Sequence, residues 1–155
     1  MLRWLKRDER GQSLVEVAGV SIFLIFLSLM IFETGVMFFS YVALLNASRE
    51  GAIYASAHPE LADAARTPED SQAYLTYTER IVKGEVRLGN LVDPNELTIH
   101  RPVLVDGTSG FGDPIRVQVD YRLVTFSSTI RLPFVGRFGL PNFWPMSAST
   151  TMPIR

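Results

Sequence analysis

The 155-residue sequence has no cysteine, no proline before Pro59, and no charged side chain from Val17 to Phe32 or from Thr34 to Ser48. Without cysteine there are no disulfides, no thiolate-ligated zinc and no thiol nucleophile. Histidine is scarce as well. His58 and His100 stand far apart and show no ligand spacing, so no metal, cofactor or catalytic residue set is expected. Charge of one sign is also missing. Fifteen basic and 16 acidic side chains leave a formal net charge of -1, which gives no reason to expect a nucleic acid as partner. The glycine-containing stretch "DGTSGFGDP" (106–114) lacks the Gly-Lys-Ser/Thr ending of a phosphate cradle. Asp106 and Asp113 are arranged for a calcium loop or, more simply, for a hairpin turn using Gly and Asp.

What the sequence does have is a long apolar run. A bilayer crossing needs about 20 apolar residues, and the stretch from Val17 to Ser48, interrupted only by Glu33, exceeds that. A core helix of a water-soluble domain would carry a polar face, and "VSIFLIFLSLMIF" has none. With no proline before Pro59, residues 12–57 can form one helix on the order of 65–70 Å long, in lipid for its first part. The flank before it carries Arg3, Lys6, Arg7 and Arg10 against Asp8 and Glu9. This basic excess predicts a cytoplasmic N-terminus, membrane lipid around the span, and a C-terminal part on the other side.

The second half of the helix repeats small residues every four positions: Ala43, Ala47, Gly51 and Ala55, with Ser48, Ala52 and Ser56 on the adjoining row. Such a stripe admits close approach of another backbone, either the chain's own outer part or a neighbouring subunit. An ordinary alanine-rich helix would show the same spacing.

Two carboxylates remain in this apolar context. Glu16 and Glu33 are separated by about 25 Å and by about 100° around a helix, so they are not a catalytic pair. A carboxylate well inside a bilayer costs roughly 2.5–3.5 kcal/mol. Snorkelling to an interface or neutralisation would relieve that cost for either residue.

The surroundings of Glu16 point further. Basic residues, then Gly11, then "QSLVE", then an apolar helix resembles the processing site of type IV prepilins. In that family a membrane peptidase cuts after the glycine, which here would make Gln12 the first residue and Glu16 the fifth. A new ammonium on Gln12 could pair with Glu16 of the next subunit and fix the axial register of a bundle. A longer set of residues narrows the resemblance: Arg10, Gly11, Val15, Glu16, Glu33, Gly35, Asn46, Ala47, Arg49, Glu50, Gly51 and Ala52 are similar to the pattern of TadE-like proteins of tight-adherence (Flp) pilus systems. Val17 stands where that family's Glu-Phe or Glu-Tyr step places an aromatic, and Ser48 replaces an alanine. The likeness covers residues 10–57. It implies a non-enzymatic minor pilin or pseudopilin of the bacterial inner membrane, single-pass, with its head periplasmic or extracellular. The implied partners are a prepilin peptidase, other pilins or pseudopilins and inner-membrane pilus assembly proteins. Whether such a chain enters an adhesive filament or assists its assembly is left open by the likeness.

After Pro59 the composition changes. "HPELADAARTPED" reads as a polar linker. Residues 69–88 read as a helix with Tyr74, Tyr77, Ile81 and Leu88 on one face and Val82 beside them. "ELTIHRPVLV" reads as an edge strand because of Pro102. "IRVQVDYRL" alternates strictly, with Ile115, Val117, Val119, Tyr121 and Leu123 on one side, and "MSASTTM" supplies a last strand. His100 on its strand is expected at the surface or packed rather than acting as a base. The aromatic stretch "RLPFVGRFGLPNFWP" (131–145) is either an exposed contact loop or a loop folding its rings onto a small core.

The expected architecture is α+β. A basic leader spans 1–11, a long pilin-like helix 12–57, and a head of one helix and an antiparallel sheet 58–155. An uncleaved single-pass anchor displaying a binding domain is the alternative. A tethered hydrolase would need a convergent acid, base and nucleophile set that the sequence does not display.

Overall fold

The computed structural model describes residues 9–86, 94–126, 131–132, 136–137 and 142–155. Most of the predicted leader lies outside them, as do Leu88, Phe134 and Phe138.

Helix α1 runs unbroken over Glu9–Ala57. Its first part is apolar all round, and every side chain from Gly11 to Ile25 is exposed. Pro59, which has no N–H and disfavours helix in the residue before it, ends α1 at Ala57. The chain divides into two compact units between Gly35 and Val36.

In the unit from Val36 to Arg155, the second half of α1 packs with helix α2 (Gln72–Val86) and an antiparallel sheet. α2 begins where the Ser71 hydroxyl accepts the Tyr74 backbone N–H (3.3 Å), an N-cap bond. Tyr74, Tyr77 and Ile81 form its buried face and Val82 is half-buried, as the periodicity predicts. The predicted strand over 96–105 is instead two short strands, β1 (Leu97–Ile99) and β2 (Val103–Leu104). Pro102 has no N–H to give the ladder, and both pieces pair with the same neighbour, β3 (Pro114–Val124). β3 buries Ile115, Val117, Val119, Tyr121 and Leu123, with Arg116, Gln118, Arg122 and Val124 of the alternating set exposed and Asp120 half-buried, as its period-2 pattern predicts.

Two small strands, β4 (Arg131–Leu132) and β5 (Gly136–Arg137), pair with each other. The last strand, β6, runs over Phe143–Pro153 and pairs with β3 along its whole length, from Pro114 opposite Pro153 to Val124 opposite Phe143. It begins three residues earlier than the sequence indicates, and so takes in Phe143 and Trp144. These two aromatics of the 131–145 stretch are exposed strand residues; they are not folded onto the core.

The segment after α1 is more ordered than a linker. A 3-10 turn (Pro59–Ala62) buries Leu61 completely. Arg101 Nη1 donates to the carbonyls of Leu61 and Thr67, each at 2.8 Å, while its guanidinium lies 4.6 Å from the Tyr74 ring centre. Nearby, the buried Tyr77 hydroxyl donates to the His100 carbonyl (2.9 Å), and burial drives its pKa strongly upward. The phenol therefore stays protonated as a donor. In the 106–114 loop Gly107 and Gly112 adopt positive φ (71° and 90°), and Asp113 Oδ2 accepts the Gly110 N–H at 2.8 Å. That is turn chemistry of the Gly/Asp kind.

Candidate functional site

The residues singled out in the sequence fall in three places. Gly11, Gln12 and Glu16 lie in the first turns of α1, all exposed, and no heavy atom lies within 4 Å of a Cβ built on Gly11. Gln12 Nε2 donates to Glu16 Oε1 at 3.2 Å, one turn apart. The Gly11–Gln12 bond lies in an exposed, helical part of α1.

Glu33 is farther along α1 and only 5% exposed.

Ala43, Ala47, Gly51 and Ala55 lie in the second half of α1, and all four are buried. At Gly51 a Cβ would come within 2.7 and 2.8 Å of the Ile81 side chain and 3.1 Å of Val117 Cγ1. The small-residue stripe thus lets α2 and β3 approach the α1 backbone. On the adjoining row Ser48 donates to the Leu45 carbonyl (2.9 Å), which uses its one proton, so Thr150 of β6 donates to Ser48 Oγ at 2.7 Å.

One polar cluster was not foreseen. On the outward face of the sheet His100 Nε2 lies 2.7 Å from Asp120 Oδ2, Gln118 Nε2 donates to Asp120 Oδ1 at 3.0 Å, and Ser147 also bonds the carboxylate. The missing information was pairing register. Ile99 opposes Val119 and Asp120 opposes Ser147, which brings positions 100, 118, 120 and 147 together. Here the carboxylate sits between the serine and the histidine. A nucleophile relay needs the histidine in the middle, so this arrangement is a carboxylate held by donors, with no activated hydroxyl. Among the described residues no cluster of three or more His, Asp and Glu has metal-binding placement.

Burial pushes the Asp120 pKa up, but the bonds from Ser147, Gln118 and His100 outweigh it and hold the carboxyl below its usual value. A depressed folded-state pKa gives stability that is present above the unfolded value and lost as pH falls through the folded one. Asp120→Asn should therefore flatten the acid limb. In a thermal-unfolding series on the full chain in detergent between neutral pH and about pH 3, the wild-type midpoint should fall further than the variant's. Parallel curves would remove Asp120 from the acid response.

The fold thus defines a class: one N-terminal apolar helix long enough to cross a membrane, followed by an α+β unit. Residues 11–52 match the model of a family described as TadE-like protein. That match spans less than a third of the chain. It covers most of α1, including Gly11, Glu16, Glu33 and Gly51, and ends before α2 and the sheet. No curated protein and no solved structure matches the chain.

Proposed function

We propose that the chain is a pseudopilin-like, non-enzymatic subunit of a tight-adherence pilus system, anchored in the bacterial inner membrane with its N-terminus cytoplasmic and cut after Gly11 by a prepilin peptidase. The observation that carries this reading is the family match over residues 11–52, which begins at Gly11 and takes in the apolar, exposed first half of α1. Cleavage would turn Gln12 into a terminal ammonium. In the uncut chain Glu16 has the Gln12 side chain as a hydrogen-bond partner and is otherwise open to a neighbouring helix. Pairing that carboxylate with the ammonium of the next subunit would satisfy both charges inside a bundle of apolar helices and set their stagger. The pilin-like head, from α2 through β6, would then be displayed beyond the membrane, and further pilins and inner-membrane assembly proteins would be its partners. The basic excess of Arg3, Lys6, Arg7 and Arg10 supports the sidedness.

The intact mass and N-terminal sequence of the protein extracted from its native membrane test the proposal. A chain beginning at Gln12 is expected. A chain retaining Met1 or Leu2 in cells with an active prepilin peptidase would overturn processing and leave an uncleaved anchor that displays a binding domain.

A further inference from the structure

One end of the Val36–Arg155 unit is aromatic and open. Phe38 and Tyr41 of α1 are exposed there, Phe38 to 70%, and so are Val124, Phe126, Phe143 and Trp144 at the end of the β3–β6 ladder, Phe126 to 63%. Two tie points fix how β6 runs relative to the second half of α1. The Arg155 N–H donates to the Ser56 carbonyl (2.9 Å), and Thr150 bonds Ser48 (2.7 Å). Moving from the first tie to the second, both chains run backwards, so β6 and the second half of α1 lie side by side in the same direction. From Thr150 back to Phe143 is about 23 Å of strand. From Ser48 back to Val36 is about 18 Å of helix. Phe143 and Trp144 therefore reach the end at which α1 enters the unit. Val124 pairs with Phe143, and the Thr125 N–H bonds the Asn142 carbonyl (3.3 Å), which brings Phe126 to the same end. Immediately before Val36 the chain is the apolar membrane-length segment.

We infer that this aromatic end is a lipid-contact surface, seated in the interfacial layer of the same bilayer that the apolar helix crosses. The inference rests on the membrane-spanning reading of α1 and does not depend on cleavage. The side-chain chemistry fits the interface: Trp144 and Tyr41 can bury a ring body at headgroup depth while the polar edge stays wet, and Phe38, Phe126 and Phe143 add apolar area beside them. The Arg122 guanidinium lies 4.4 Å from the Phe143 ring centre, where a ring in lipid leaves a cation beside the phosphates. The occupant needs no separate recruitment. The span and this end are joined through one helix, so the bilayer is at high effective concentration beside it. At the opposite end, where the Gly112 N–H bonds the Ile154 carbonyl and the Val105 N–H bonds the Pro114 carbonyl, the exposed large apolar side chains include Phe111 and Val105 but, among the described residues, no Trp or Tyr.

The chain has two tryptophans, Trp4 and Trp144, so Trp4→Phe leaves Trp144 as the sole reporter without altering the surface. The full-length variant is placed in phosphatidylcholine vesicles whose acyl chains carry bromine either near the glycerol or near the terminal methyl. Trp144 emission should fall by about half with bromine near the glycerol and less with bromine near the methyl, as expected for a ring at the interface. A parallel chain with Trp4→Phe, Trp144→Phe and Leu24→Trp reports on the span. If the span reporter is quenched and Trp144 is not, the head stands clear of lipid, or another copy covers this end, and the inference is overturned while the anchor stands. If neither is quenched, α1 does not enter the bilayer, and the anchor reading fails together with the inference.

Discussion

Replacing Glu16 by alanine is expected to leave the chain in the membrane and to lower its incorporation into pilus assemblies by about two orders of magnitude or more. The two halves of this prediction have opposite signs, and that makes it informative. Alanine in place of a carboxylate at the lipid end of α1 removes a cost of insertion, so membrane-fraction yield should be unchanged or higher. In the proposed bundle of cleaved chains the same change would leave the Gln12 ammonium of the adjoining subunit without its anion. Stranding one member of a buried ion pair costs about 3–5 kcal/mol, and each 1.4 kcal/mol is a factor of about ten in association. Glu16 is exposed, with Gln12 as its side-chain neighbour within the chain. The head contains none of these atoms, so its unfolding midpoint should not move. The measurement is the ratio of sheared-pilus or crosslinked-assembly signal to membrane-fraction signal, wild type against variant. An unchanged ratio would show that Glu16 does not set the stagger. A fall in the membrane signal itself would show that the carboxylate serves insertion or targeting instead.

The parts of this fold that were legible in the sequence are those written in short-range periodicity. The lack of proline and charge gave α1, the alternation of Ile115 through Leu123 gave β3, and the spacing of Tyr74, Tyr77 and Ile81 gave the buried face of α2. What was not legible depends on partners distant in the chain. The break between β1 and β2 follows from Pro102 only once β3 is known to be their common neighbour. The apparent linker after Pro59 is held by Arg101, a residue some forty positions away whose role no local pattern reveals. The His100–Asp120 contact likewise needed strand register. Glycine spacing marked Gly11 and Gly51 equally, yet their surroundings differ completely. Gly11 has open space around it, and Gly51 lies against Ile81 and Val117. Pattern identifies candidate contacts, and packing decides which of them are filled from within the chain.

Gly51→Leu is accordingly the substitution expected to damage the head most. A Cβ alone would stand 2.7 Å from Ile81 Cδ1, 2.8 Å from Ile81 Cγ1 and 3.1 Å from Val117 Cγ1. Two effects oppose each other. Leucine is a better helix former than glycine by about 0.8–1 kcal/mol, and overpacking a filled core costs about 1–3 kcal/mol, occasionally more. For alanine the contest is close, because the Ile81 side chain can turn aside and one methyl is all that must be housed. For leucine it is not. The added isobutyl group must displace both the tip of Ile81 on α2 and Val117 of β3, and Val117 is fully buried. Its backbone is fixed by pairing to Thr150, whose hydroxyl is in turn tied to Ser48 three residues before Gly51. Relief therefore requires α1 to separate from the sheet and α2 together. The expected loss is about 2–3 kcal/mol, a fall in melting temperature on the order of 10 °C for a unit of this size, measured on the full chain in detergent. Gly51→Ala should lie within about 1 kcal/mol of wild type, since helix propensity offsets its smaller clash. A double-mutant cycle with Ile81→Val locates the origin, because trimming the side chain that the new carbon meets should recover part of the Gly51→Ala cost. Equal stability of the leucine variant and wild type would mean that α1 does not approach α2 and β3 closely at this position, and would return the small-residue stripe to service as a face for another subunit.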